Sequence, residues 1–259
     1  ESRSWAPRNW TTDSVTFFPT GTALAATWNA DLALRYGIAI GSEARARDKD
    51  VLLGPGVNII RTPLCGRNFE YFSEDPYLSS VMTVGYVQGV QMQDVAACVK
   101  HYALNNQEYM RGWINVEADE QTLQEIYLPV YKAAVCEGGA YSIMGSYNRF
   151  RGDYACENDY LLNKILKGDW GFQGIVVSDW GATHSTVKAA MNGLDVEMGN
   201  AWGKKEHFMA SLADSVKAGI VPEQVLDDKV QRILRVILAC KLGDPSRSHG
   251  SMNTPENSK

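Results

Sequence analysis

The sequence predicts an α/β protein with the architecture of a (β/α)8 TIM-type barrel. Short buried strands alternate with helical segments, each repeat takes roughly 35 to 45 residues, and polar side chains follow the strand ends. Parallel strands joined by right-handed crossovers explain this alternation. The length of the repeat favours a barrel with long loops over a minimal doubly wound sheet.

The predicted strands are short runs of β-branched and other apolar residues. Runs of this kind are typical of strands that are buried on both faces. They comprise residues 51–53 continuing to 57–60, 95–99, 141–144, 175–177 and 194–196. Because a closed barrel of this type has eight strands, we expect a barrel that is incomplete at its N-terminus.

Helical periodicity fills the intervals between these strands. The predicted helices comprise residues 31–47, 76–91, 120–136, 159–167, 185–191, 206–218 and 222–242. Residues 244–259 are polar, contain Pro, Ser, Gly and Asn, and have no apolar period. We therefore expect a barrel domain over residues 1–243 that lacks its first strand or strands, followed by a linker over residues 244–259.

The composition excludes several classes of function. The chain has 259 residues, is 45% hydrophobic and carries a formal net charge of −5, so it can bury one large core but offers no basic surface for nucleic acid. Its apolar runs are shorter than the roughly 20 residues that span a bilayer. The five cysteines are scattered without a C-x-x-C pair, and the chain contains no motif for a metal or cofactor. We expect neither group, no nucleic-acid partner and no membrane span.

The predicted strand ends carry the side chains that are suited to chemistry. In a β/α barrel the carboxyl ends of separate strands meet at one rim, where active sites are built. The alternative for Asp179 is an ordinary cap of the next helix. The strand-end residues are Arg61 and Arg67, Lys100 and His101, Ser146–Tyr147–Asn148, Asp179 and Trp180, and Glu197.

This set of side chains favours a carbohydrate ligand. Charged and bidentate groups bind sugar hydroxyls, whereas aromatic rings pack on the C–H faces of a sugar ring. The chain has seven Trp and twelve Tyr, although any single aromatic residue is as readily explained by core packing. The chain contains no serine-hydrolase elbow, metalloprotease helix or phosphate-binding loop.

Ordered sequence blocks along nearly the whole chain resemble one enzyme family. They include residues 53–59, 66–76, 99–102, 125–129, 144–148, 177–182 and 193–198. On these blocks the chain is similar to glycoside hydrolase family 3, in its multidomain β-glucosidase branch. Trp180 after Asp179 is similar to the glucosidases of that family rather than to its xylosidases, in which a cysteine tends to follow the aspartate.

The resemblance implies retaining hydrolysis of terminal β-D-glucosides through a covalent glycosyl-enzyme on Asp179. The substrate would be a small β-glucoside or a cello-oligosaccharide. Tyr147 would lie against the nucleophile and Trp180 would form part of the next subsite. The substrate-binding positions that the resemblance implies are Arg67, Lys100, His101, Met144, Tyr147 and Trp180.

The second carboxylate of a retaining mechanism has no counterpart in this sequence. Such enzymes hold two carboxyl groups about 5 to 5.5 Å apart, and in the multidomain branch the second comes from a following α/β sandwich domain. The resemblance therefore implies an acid/base residue on a C-terminal domain of the same parent chain, which residues 244–259 would lead towards. The Asp–Gly–Pro segment of the family is likewise not found in residues 1–15.

Three alternatives remain open from the sequence. The chain could be a non-catalytic or inactive carbohydrate-binding fragment. It could also be a β-xylosidase or a β-N-acetylglucosaminidase of the same family. The last is disfavoured because its branch carries a His–Asp pair in a loop after Lys–His–Phe, whereas here Lys100–His101–Tyr102 leads into Ala103–Leu104–Asn105.

Overall fold

The structure is a computed structural model that describes residues 14–199 and 206–257. Residues 1–13 of the predicted barrel domain therefore lie outside the described residues. The strands in this part of the chain are β1 (Val51–Leu52), β2 (Ala96–Tyr102), β3 (Asn115–Val116), β4 (Ser142–Gly145), β5 (Arg149–Phe150), β6 (Asp153–Tyr154) and β7 (Ile175–Ser178).

Helices connect these strands. They are α1 (Gly21–Ala25), α2 (Ala30–Ala46), α3 (Pro76–Gln91), α4 (Glu120–Thr122), α5 (Pro129–Cys136), α6 (Val187–Met191), α7 (Ala210–Lys217) and α8 (Glu223–Ala239). Two π-helical segments span Leu123–Tyr127 and Tyr160–Asp169, and short 3-10 turns span Asn68–Glu70 and Ala155–Glu157.

The central sheet is parallel and follows chain order. Strands β1, β2, β4 and β7 are neighbours in that sequence, and single parallel bridges extend the pairing from Gly56 to Lys100 and from Val177 to Val196. Parallel strands in chain order joined by helices are the pattern of a β/α barrel. The predicted fold class is therefore confirmed, although the described strands form an open sheet rather than a closed barrel.

Two predicted strands are wrong in extent. Residues 57–60 do not continue β1, because Pro55 has no N–H to donate and the pairing resumes only at the Gly56 bridge. Residues 194–196 form one bridge to β7, because the Asp195 side chain itself accepts the hydrogen bond of Val176 N at 2.8 Å. A side chain has taken the place of a backbone partner there.

The predicted helix over residues 120–136 is interrupted. It consists of α4, a π-helical segment and α5, and Pro129 begins α5. Proline cannot donate the helical hydrogen bond and collides with the preceding turn, so the chain restarts its helix there. The predicted helix over residues 159–167 is π-helical and runs from Tyr160 to Asp169.

The two faces of the central sheet pack against different layers. One face places Ala97, Val99, Ile143 and Val176 in the large core cluster, to which α3, α5 and the segment Tyr160–Asp169 also contribute. Residues on the other face, including Ala96, Cys98, Met144 and Val177, pack with Val236 and Cys240 at the C-terminal end of α8. This alternation with period two is that of strands buried on both faces.

Glycines allow α2 and α3 to approach closely. Asn29 and Asp75 cap the two helices by accepting hydrogen bonds from Leu32 N and Leu78 N. Where the helices meet, a Cβ added at Gly37 or Gly89 would collide with backbone atoms of the facing helix. The helix pair therefore packs backbone against backbone, which holds α3 against β2.

Residues 244–257 pack on the body of the protein. Ser248 N donates to Asp94 Oδ2 at 2.9 Å. The buried carboxylate of Glu43 on α2 accepts hydrogen bonds from Asn253 N at 3.0 Å and from Asn257 Nδ2 at 3.1 Å. The role of residues 244–259 as a linker to a further domain stays a prediction.

Gly89→Ala should destabilise the fold by about 2 kcal/mol, because the added methyl group collides with Leu34 O and this overpacking exceeds the gain in helix propensity. The free energy of unfolding in urea measures the effect. The matched control is Gly112→Ala, where nothing lies within 4 Å of an added Cβ. Equal stability of both variants would contradict the close packing of the helix pair.

Candidate active site

The candidate site lies at the carboxyl ends of three adjacent parallel strands. His101 is the penultimate residue of β2, Tyr147 comes two residues after the end of β4, and Asp179 follows β7 directly. The register pairs Tyr102 with Gly145 and Gly145 with Ser178. Residues that are distant in sequence therefore meet because their strands end at the same level.

Asp179 is held by two donors to the same oxygen. Its carboxylate is buried, with the residue 4% exposed. Oδ1 accepts hydrogen bonds from Trp180 N at 2.8 Å and from the Tyr147 hydroxyl at 3.0 Å. Oδ2 lies 3.6 Å from His101 Nε2, and it accepts no hydrogen bond from the described residues. The two hydrogen bonds to Oδ1 thus fix the orientation of the carboxylate, whereas the lone pairs of Oδ2 are not used by these donors.

His101 is fixed by its backbone and by Asn58. Asn58 Oδ1 accepts from His101 N at 2.8 Å, and Asn58 Nδ2 donates to His101 O at 3.0 Å. Tyr131 also donates to His101 O, at 2.7 Å. Burial, reinforced by the positive charges of Arg67, Lys100 and Arg111, holds the pKa of His101 well below its ordinary value of 6.5. The imidazole is therefore neutral at pH 7.

Tyr147 remains protonated next to the carboxylate. Burial and the negative charge of Asp179, to which it is hydrogen-bonded, raise the pKa of Tyr147 well above its ordinary value. The Arg111 guanidinium lies over the Tyr147 ring, with Cζ 4.5 Å from the ring centroid, and it pairs with Glu108 at 2.8 Å. The tyrosine is therefore an O–H donor whose ring position is set by a cation.

The other predicted site residues are Arg67, Lys100, Met144 and Trp180, and they differ in burial and in their partners. Arg67 pairs with Glu70, and Lys100 lines a separate cavity of about 340 Å³ that Glu70 also lines. Met144 is 1% exposed and belongs to the same apolar cluster as the partly buried ring of Trp180. Met144 therefore supports the floor of the site, whereas Arg67 and Lys100 supply charge at its edge.

A cavity of about 310 Å³ opens beside Tyr147. The exposed ring of Trp113 lines it, and so do Tyr154 and His184, whose rings stack at 3.5 Å between centroids. Thr183 also lines this cavity, although its hydroxyl oxygen is buried, and the Glu206 side chain belongs to the lining as well. The cavity thus combines aromatic faces with polar residues.

Three strand-end residues lie apart from the centre. Arg61 lies over the Tyr127 ring, 5.7 Å from its centroid. Asn148 donates to Ala103 O at 3.1 Å and supports the loop after β2. Glu197 lines the cavity beside Tyr147, but its Oε2 accepts from His207 N and Phe208 N.

Sequence reasoning missed Asn58 and Arg111. Asn58 follows the Gly54–Pro55–Gly56 turn in one of the blocks that carried the family resemblance, and that position was the available signal. Arg111 lies in the long loop after β2. The only sequence pattern around Arg111 is Glu108 three positions before it, and such acidic–basic pairs are common on protein surfaces.

Three carboxylates around the site already have partners. Glu70 pairs with Arg67, and Glu108 pairs with Arg111. Glu197 accepts two backbone N–H groups. Each of these three side chains is thus tied to a partner on its own side of the site.

The described part of the chain has neither a metal-binding cluster nor a membrane-spanning helix. No group of three or more His, Cys, Asp and Glu side chains there is arranged to hold a metal ion. None of the helices in residues 14–199 and 206–257 is both long and apolar enough to cross a bilayer. The five cysteines, all of which are described, form no disulfide.

The fold and the strand-end site define a barrel-type α/β protein whose candidate site is centred on a buried carboxylate. The family model for the glycosyl hydrolase family 3 N-terminal domain matches residues 8–236. The chain therefore belongs to glycosyl hydrolase family 3. This confirms the family resemblance of the sequence.

Curated relatives and a solved structure agree with this assignment. A β-glucosidase of Bacteroides ovatus is 55% identical over 243 residues, covering 90% of this chain and 32% of that protein. Thermostable β-glucosidase B of Acetivibrio thermocellus is 46% identical over 223 residues, 86% of this chain and 29% of the relative. The structure of a Streptomyces venezuelae β-glucosidase in complex with D-glucose matches with a TM-score of 0.90 at 36% identity, covering 96% of this chain and 33% of that one. The chain thus spans about a third of their length.

The neutral state of His101 predicts a pH-dependent stability. The unfolded chain takes up a proton on this residue below about pH 6.5, whereas the folded chain does not, so stability falls as the pH falls through this value. The loss from this group is up to about 1.4 kcal/mol for each pH unit below about 6. Urea unfolding between pH 7 and 5 measures it.

His101→Gln should reduce this slope because the group that titrates is removed. The control, His249→Gln in the exposed tail, should keep the slope of the unaltered chain. Parallel pH profiles for the unaltered chain and His101→Gln would mean that His101 is not held neutral.

Proposed function

We propose that this chain carries the nucleophile and most of the glucose-binding site of a retaining β-glucosidase. The observation that carries the proposal is the Asp179 carboxylate, with Oδ1 held by Tyr147 and Trp180 N and with Oδ2 free of hydrogen bonds from the described residues. Its β-glucosidase relatives and the glucose-bound structure it resembles support the substrate class.

In the first step Asp179 Oδ2 attacks the anomeric carbon of a β-glucoside. The C–O bond to the leaving group breaks, its electron pair goes to the leaving oxygen, and a covalent glucosyl ester forms. Because Oδ1 is already held by two donors, the carboxylate does not need to rotate into place. Preorganisation of this kind lowers the cost of reaching the transition state.

Neighbouring groups would bind the glucose that is cleaved. Arg67 and Lys100 are cations that suit its hydroxyls, and neutral His101 offers a ring nitrogen 3.6 Å from Asp179 Oδ2. Tyr147 stays protonated and stabilises the carboxylate both before attack and when it leaves. Trp180 provides an aromatic face at the exit from the site.

The acid and base of the reaction would come from outside this chain. The leaving oxygen needs a proton in the first step, and the attacking water must lose one in the second. Glu70 and Glu108 are engaged in ion pairs with Arg67 and Arg111, and Glu197 accepts hydrogen bonds from two backbone N–H groups. We infer that a further domain of the same parent chain contributes this carboxylate and that residues 244–259 lead towards it.

The cavity beside Tyr147 suits the sugar on the leaving-group side. The exposed Trp113 ring and the stacked rings of Tyr154 and His184 offer a packing face, and the Glu206 side chain in the same lining offers a hydrogen-bond acceptor. A second glucose unit has both of these surfaces. This feature supports cello-oligosaccharides as well as simple aryl glucosides as substrates.

The products formed with azide test whether Asp179 is the nucleophile. With 2,4-dinitrophenyl β-glucoside, whose leaving group needs little acid assistance, Asp179→Ala should be at least about 10³-fold less active. Azide should partly restore it by attacking the anomeric carbon directly, and the product should be α-glucosyl azide. In the unaltered chain azide should instead attack the glucosyl ester and give β-glucosyl azide. The configuration is read by proton NMR.

Asp159→Ala is the matched control, because this carboxylate is exposed and accepts a hydrogen bond from Asn163 Nδ2 rather than from a residue of the site. It should behave as the unaltered chain does. Recovery of β-glucosyl azide from Asp179→Ala would show that another residue is the nucleophile. A chain that hydrolyses unactivated glucosides at full rate without azide would show that it contains its own acid/base residue.

A further inference from the structure

A third cavity lies away from the candidate active site. It has a volume of about 240 Å³ and lies between the segment Tyr160–Asp169, α6 and α8. Polar side chains line much of it, namely Asn163, Lys167, Gln224, Asp228 and Lys229. It borders Asp195, whose carboxylate binds Val176 N, three residues before Asp179 on β7.

The carboxylates around this cavity are already paired with cations. Asp195 is fully buried, and its Oδ1 accepts from Lys167 Nζ at 2.7 Å while its Oδ2 accepts from Val176 N. Asp228 Oδ2 accepts from Arg232 Nε at 2.8 Å. The guanidinium of Arg232 also donates to two backbone carbonyls, one of them Phe172 O at 2.7 Å. Lys167 is therefore paired with Asp195, and Arg232 is paired with Asp228.

Lys229 is the cation that remains. The residue is 4% exposed, and its ammonium lies 3.9 Å from Asp195 Oδ1, which is beyond hydrogen-bond distance. None of the described residues accepts a hydrogen bond from it. Burial is the main cause that lowers the pKa of Lys229 to about 8. A buried ammonium without an acceptor is costly, and this one faces a cavity that can hold one.

We propose that this cavity binds a small monovalent oxyanion, a carboxylate of the size of acetate, through the Lys229 ammonium. The groups around it, Lys167, Lys229 and Arg232 against Asp195 and Asp228, leave an excess of one positive charge. One negative charge balances this excess. A dianion such as sulfate would add a second charge next to Asp228 and Asp195, whose repulsion disfavours it.

The volume agrees with an ion of this size. A water molecule takes up about 30 Å³ of liquid, so the cavity has room for acetate together with several waters. The Gln224 amide at its rim could donate a further hydrogen bond to the bound carboxylate. The ion would then join α8 to the segment Tyr160–Asp169 by charge as well as by packing.

Thermal unfolding in acetate tests this site on the protein itself, without reference to its enzymatic activity. Replacing chloride with acetate at constant ionic strength should raise the melting temperature saturably, by about 4 °C at 20 times the dissociation constant. Sulfate also stabilises folded proteins in general by exclusion from their surface, so the comparison is made on the part of the rise that Lys229→Met removes, which should be smaller for sulfate than for acetate at the same ionic strength. Isothermal titration calorimetry with sodium acetate should give one site per chain.

Two variants separate the site from general salt effects. Lys229→Met keeps the length and apolar stem of the side chain but removes the charge, so it should fold and show neither the acetate response nor the calorimetric binding. Lys164→Met on the facing segment Tyr160–Asp169, where the lysine is exposed and pairs with Asp169 at 3.5 Å, should keep both. An equal acetate response in Lys229→Met, or no difference between acetate and chloride in the unaltered chain, would overturn the proposal, because water alone would then fill the cavity.

Discussion

The parallel register of β2, β4 and β7 is the constraint on which the site depends. It places the ends of three strands at one level, so that His101, Tyr147 and Asp179 meet although they are separated by tens of residues. The register in turn is maintained by strands that are buried on both faces. A slip of one residue would exchange the inner and outer faces of a strand and would separate Tyr147 from Asp179.

The polar groups around Asp179 leave its carboxylate as the negatively charged group at the centre of the site. Neutral His101 and protonated Tyr147 face Asp179, and Arg67, Lys100 and Arg111 supply positive charge to this region. Two of the acidic residues around the site, Glu70 and Glu108, are paired with Arg67 and Arg111. The proposed function rests on this arrangement, with Asp179 as the nucleophile and the acid/base residue on a further domain.

Much of this arrangement could be predicted from the sequence, because it depends on local patterns. The apolar runs located β2, β4 and β7 to within a few residues. The polar residues within the next three positions after each run include His101, Tyr147 and Asp179, which meet in the structure. The predictions that failed were the continuous helix around Pro129 and the strand around Asp195. A proline inside a helical period and a side chain that replaces a strand partner change the backbone without changing the apolar pattern.

Contacts made across the fold could not be predicted in this way. Asn58 holds His101 over a separation of 43 residues, and Arg111 reaches the Tyr147 ring from a loop without periodicity. The closely packed glycines of α2 and α3 read in the sequence as weak helix formers. Only the facing helix explains why they are needed.

The intact mass of the chain after incubation with 2,4-dinitrophenyl 2-deoxy-2-fluoro-β-glucoside tests the central claim most directly. The fluorine slows hydrolysis of the ester, and the activated leaving group removes the need for an acid, so the reaction reports on the nucleophile alone. The account predicts a gain of one fluoroglucosyl group, mapped to Asp179 by peptide mass spectrometry. A label on another residue, or no label on a chain that circular dichroism shows to be folded, would contradict it.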